Sequence, residues 1–122
     1  MPSKIEPGPF QYDGPVIVLV GPACSSACEG LAYNFQVTGR AKVVGQYPSG
    51  GLFGEVGSGQ YLLPENISLQ APTGRPVGPD GNIIIENKGV VPDIKVPVDE
   101  TTIFSDQDVV LQAAELELLG GQ

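Results

Sequence analysis

The chain has 122 residues, with 14 acidic against 6 basic side chains, a net charge of −8 and no histidine. That length carries one domain with a modest core, and 41% hydrophobic with 16% charged residues is a globular composition. The acidic balance, without any basic run, excludes nucleic acid and anionic membranes as partners; the longest apolar run, Val16 to Val20, is far short of a membrane span; and the lack of histidine removes the imidazole on which most serine and cysteine hydrolases depend.

Residues 1–14, rich in proline and glycine and without the apolar segment of a signal peptide, read as an arm or linker. Pro15 to Val20 is an apolar strand, expected to be buried on both faces of an α/β sheet. A helix follows from about Ser25 to Gly39, with Ala27, Cys28, Leu31, Ala32 and Phe35 as its apolar stripe. Lys42-Val43-Val44-Gly45 is the next strand, so strand–helix–strand is the first unit, with a parallel crossover as its default geometry. Gln46 to Gly59 is a long glycine-dense loop, either a functional loop or a mobile one without a site. Gln60–Leu63 and Ile67–Ala71 read as strands joined by Pro64-Glu65-Asn66. Ile83-Ile84-Ile85 reads as a short buried strand ending at Glu86, Val90 to Val96 as an extended segment, and a last helix starts near Ser105 or Asp106 with Val109, Val110, Ala113, Leu116 and Leu119 on its apolar face.

The junction Gly21-Pro22-Ala23-Cys24-Ser25-Ser26-Ala27-Cys28-Glu29-Gly30 carries the chemistry. A serine at a strand-to-helix turn exposes its oxygen beside the free amides of the first helical turn, which is where several unrelated hydrolases place a nucleophile. A serine that only caps the helix is the competing reading. Cys24 and Cys28, four apart and without histidine, cannot complete a zinc site. Among apolar neighbours they are read as small buried residues in preference to a disulfide or redox pair.

The apolar strand, Ala23-Cys24-Ser25-Ser26-Ala27-Cys28-Glu29, Thr38-Gly39-Arg40-Ala41-Lys42-Val43-Val44-Gly45, Pro72-Thr73-Gly74-Arg75 and Glu86-Asn87-Lys88-Gly89-Val90-Val91-Pro92-Asp93 follow one another in an order that resembles the catalytic half of the S41 serine peptidases. This is the C-terminal processing or tail-specific protease family, and the resemblance runs from about Pro15 to Leu118. It implies an α/β fold of the ClpP/crotonase-like type, a spiral of strand–strand–helix units that is incomplete here, with residues 15–119 as the C-terminal part of the catalytic domain. It also implies an endopeptidase with Ser26 as nucleophile, Ser25 as its structural neighbour or cap, the Ala27 amide as oxyanion donor, and neither metal nor cofactor.

One branch of that family uses a Ser-Lys dyad, but its lysine position falls on Gly51, and no lysine lies between Lys42 and Lys88. The branch resembling the tricorn core protease uses Ser-His-Glu, and Glu86 stands where its histidine-orienting acid stands. A solvated strand-end acid, or a partner for Lys88, is the alternative for Glu86. The histidine would then come from outside these residues, and the chain alone is expected to be inactive. Expected partners are a peptide or protein substrate, the remaining half of the protease, and a second copy of the chain through uncovered apolar surface. The compartment stays open; only the resemblance points to the cell envelope or periplasm. Two rivals remain on the same fold: a non-catalytic binding module, and an acyl-CoA enzyme whose CoA-binding surface the acidic charge does not suggest.

Overall fold

The computed structural model describes residues 6–120. The first five residues of the expected arm lie outside the described residues. From Glu6 to Pro15 the backbone has no regular structure, and Arg40 ties it down by donating from Nη2 to the carbonyls of Tyr12 (2.7 Å) and Gly14 (2.9 Å).

The first unit forms as read. Strand β1 (Ile17–Leu19), helix α1 (Ala27–Val37) and strand β2 (Lys42–Gly45) follow in order, and β1 pairs in parallel with β2. Strands β3 (Gln60–Leu62) and β4 (Ser68–Gln70) make an antiparallel hairpin closed by a single 3₁₀ turn at Pro64–Asn66. Strand β5 (Ile94–Lys95) returns to pair in parallel with the other side of β2, giving the order β1-β2-β5. A short helix α2 (Glu100–Ile103), capped by the Asp99 carboxylate, and helix α3 (Val109–Gly120) complete the chain. Sequence reading did not anticipate α2, and α3 starts later than expected because Asp108 Oδ1 caps it through the amides of Val110 and Leu111.

Alternation along β2 builds the core on both of its faces. Val43 packs with Val20, Ala32, Ile85 and Val90 on the α1 side, whereas Val44 packs with Val96 and Ala114 on the α3 side. The strand buried on both faces is therefore β2 and not β1, as read. Strand β1 lies at the sheet edge, with Ile17 and Val18 half-buried and Leu19 42% exposed.

Each helix departs in part from the stripe read from sequence. In α1 the inward residues are Glu29, Ala32, Tyr33 and Gln36, and Leu31 is exposed together with Ala27 and Cys28. In α3 Val109, Val110 and Ala113 face inward as read, with Ala114 and Leu118 beside them, while Leu116 and Leu119 are exposed. Ile83–Ile85 is not a strand. Val77 and Ile83 make an isolated bridge, and then Ile85, at φ 67°, turns the chain so that its carbonyl accepts from both Lys88 and Gly89. Among the described residues no helix is long and apolar enough to cross a membrane.

Candidate active site

The site is built at the C-terminal ends of the parallel strands, the end where open α/β sheets place their ligands. After β1, the Val20 amide still reaches the Val44 carbonyl at 3.0 Å, and then Gly21-Pro22 turns the chain away from the sheet. Ser26 caps α1 with φ 56° and ψ −117° and is exposed. A left-handed φ on a residue with a Cβ costs about 1–3 kcal/mol and persists only where its surroundings enforce it. The Ala27 amide, next in the chain, belongs to the first helical turn, where amides lack intrahelical acceptors and the helix dipole favours negative charge.

Cys24 and Cys28 form a disulfide across this turn, with Cα atoms 5.4 Å apart. This corrects the reading of two buried small residues: Cys24 precedes the helix and is only partly buried, and Cys28 is exposed.

Glu29 holds the turn to the loop after β2. Its side chain is fully buried, and all four of its partners are neutral donors. Oε2 accepts the amides of Ser26 (2.9 Å) and Leu52 (3.0 Å). Oε1 accepts the Ser49 hydroxyl (2.7 Å) and the Gly51 amide (2.6 Å). Burial raises the carboxyl pKa, but the hydrogen bonds from Ser49, Gly51, Ser26 and Leu52 outweigh it and hold the group below its ordinary value. Ser49 Oγ in turn accepts the Val90 amide, so the network reaches the segment that leads into β5.

Glu86 sits in a turn between two residues of left-handed φ, Ile85 at 67° and Asn87 at 62°. Its Oε2 accepts the Phe53 amide at 2.8 Å. The carbonyl of that same peptide unit, on Leu52, accepts the Ser26 amide at 3.0 Å. One planar peptide thus bridges the two residues, and its fixed dimensions keep the Ser26 nitrogen and the Glu86 carboxylate within about 8 Å of each other. Glu86 also lines an open cleft of about 920 Å³ with Tyr33, Arg75, Asp80, Ile84 and Lys88; Ser26 is not among the residues lining it.

Residues 2–96 match the family model of Peptidase family S41. The chain belongs to peptidase family S41. Within this S41 chain Gly51 has φ 72°, and a Cβ there would stand 3.1 Å from the Gly89 nitrogen and 3.2 Å from that of Lys88. Its backbone serves the Glu29 network, and a lysine would be strained. The Pro-Asp piece is structural: Asp93 Oδ2 accepts the Val43 amide at 2.8 Å, and Oδ1 accepts Gln36 Nε2 at 2.9 Å.

A second cleft, about 540 Å³, opens among Pro15, Ile17, Arg40, Lys42, Asp93 and Glu117, on the side of the sheet where β1 and β2 begin. Lys42 and Glu117 form an ion pair there. Among the described residues no group of three His, Cys, Asp or Glu side chains could hold a metal ion. Sequence reading missed Glu29 and Ser49. The Ser-x-x-Glu spacing of a capping box was the available signal for Glu29, and nothing local marked Ser49.

Proposed function

We propose that this S41 chain supplies the nucleophile and the histidine-orienting acid of a Ser-His-Glu peptidase, and that the imidazole comes from a segment outside these 122 residues. The observation that carries the reading is the single peptide unit joining the Ser26 amide to the Glu86 carboxylate, which keeps the acid in the neighbourhood of the serine's main chain. The glycine at position 51, where a Ser-Lys dyad would need lysine, supports it from the sequence side. Ser26 Oγ attacks the scissile carbonyl as the imidazole takes its proton. The Ala27 amide binds the oxyanion. Glu86 holds the imidazole's other nitrogen and stabilises the imidazolium, which then protonates the leaving amine. The substrate is a peptide or protein.

The parallel sheet with a helix on each face, and the edge strand β1 left open and apolar, support the C-terminal portion of a ClpP/crotonase-like spiral whose next strands pair beyond β1. Fluorophosphonate labelling tests the assignment on a protein that joins this chain to a histidine-bearing partner half. Label is expected on Ser26, lost in Ser26→Ala, with Glu86→Gln lowering the rate and leaving the fold intact. Label on Ser25, or full turnover in Ser26→Ala, refutes it. No label on any serine favours the non-catalytic binding module, which the absence of histidine also suits.

A further inference from the structure

We propose that the Cys24–Cys28 disulfide is a redox-sensitive clasp on the Ser26 turn: closed, it holds the turn in its reactive form, and a dithiol reductant opens it. The proposal rests on the assignment of Ser26 as nucleophile. The bond encloses only Ser25, Ser26 and Ala27, so the nucleophile and its oxyanion amide both lie inside the loop it closes. Its two ends differ in packing. Cys24 packs against the cluster of Val20, Ala32 and Val43, and its carbonyl accepts the Gly50 amide at 2.8 Å, so this end is fixed to the sheet and to the loop after β2. Cys28 sits in the first turn of α1 and is exposed, so an incoming thiolate can reach its sulfur.

The left-handed φ of Ser26 lies between those two ends, and the covalent closure opposes its relaxation to an ordinary φ. The chain has no other cysteine, so opening yields two thiols and no exchange of partners. A thiolate of the dithiol attacks Cys28 Sγ and forms a mixed disulfide as Cys24 leaves as thiolate. The second thiol of the reductant, as its thiolate, then displaces the Cys28 thiolate and closes the reductant's own disulfide. Two electrons pass to the protein, and the cysteine thiolates take up the two protons that the dithiol gave up.

Amide hydrogen exchange on the 122-residue chain tests the clasp, air-oxidised and after dithiothreitol, with Cys24→Ser/Cys28→Ser as a variant blind to reductant. Thiol titration of the oxidised chain is expected to find no free thiol. Reduction is expected to speed exchange at the Ser26 and Gly50 amides by about tenfold or more while Val43 and Val44 stay protected, and the double variant is expected to match the reduced chain. Two free thiols after oxidation, unchanged exchange at Ser26 and Gly50, or loss of protection at Val43 and Val44 as well, each overturn the proposal; the last makes the bond a staple of the whole fold. None of these readouts involves hydrolysis, so they stand apart from the labelling that tests Ser26 itself.

Discussion

Replacing Glu29 by glutamine keeps its size and removes its charge, which isolates the role of the buried carboxylate. Oε2 faces two backbone amides, and Oε1 faces a hydroxyl and a third amide. Whichever way the glutamine amide turns, its NH₂ points at one or more backbone N–H groups that cannot reverse. Its milder orientation aims the NH₂ at Ser49, whose hydroxyl can turn to accept, and still opposes the Gly51 amide. A hydrogen bond to a charged group contributes about 1.5–3 kcal/mol, and a buried donor left unmade costs about 1–3 kcal/mol. Glutamine avoids the desolvation of a charge, which offsets part of this, so the expected loss is about 3 kcal/mol. Against a total of about 5–15 kcal/mol that is a large fraction. Urea unfolding of the chain followed by circular dichroism, with midpoints compared at constant slope, measures it. A loss under about 1 kcal/mol would refute the idea that the charge holds the Ser26 turn to the loop after β2.

The same group sets an acid limit. Its folded pKa lies below the ordinary 4.5, so its contribution is complete above that value and is lost as pH falls through the folded pKa. Wild type is therefore expected to lose stability below about pH 5 more steeply than Glu29→Gln, and parallel pH–stability curves would contradict this. Gly51→Lys is expected to cost about 1–3 kcal/mol from the left-handed φ alone, and to create no peptidase activity in the isolated chain, as thermal melts and a peptide assay would reveal. Exposed Leu116 (70%) and Leu119 (72%) are expected to promote self-association that Leu116→Gln/Leu119→Gln weakens. A single monomer mass in sedimentation velocity across a concentration series would exclude it.

What the sequence made legible follows from periodicity. Val16 to Val20 and Lys42 to Gly45 flank an obvious helix, and that unit forms as read. The stripes were misassigned in part, for identifiable reasons. Hydrophobicity ranks glutamate outward, but Glu29 finds three of its four donors on a loop more than twenty positions away or nearly so, which no local pattern encodes. Once it turns inward, Leu31 must turn out. Helix α3 is apolar nearly all round, so its period left the buried face ambiguous between Leu116 and Leu118. Ile83 to Ile85 has the composition of a strand, but the turn closed on the Ile85 carbonyl by the amides of Lys88 and Gly89 prevails. The cysteines were read as small buried residues, whereas Cys24 lies before the helix and close enough to Cys28 in space for a covalent bond. Ser26 and Glu86 became a pair only through the family resemblance, because sixty residues separate them.

What lies between the Ser26 amide and the Glu86 carboxylate is main chain alone. The Leu52 carbonyl and the Phe53 amide belong to every amino acid except, for the amide, proline. The spacing of serine and acid is therefore insulated from side-chain drift at position 52, whereas the Phe53 ring packs against the Val20, Ala32 and Val43 cluster and is held by it. Leu52, 65% exposed, already points its side chain to solvent. Proline at position 53 erases the donor, so a library is expected to tolerate broad chemistry at position 52, and at position 53 to keep apolar residues and exclude proline.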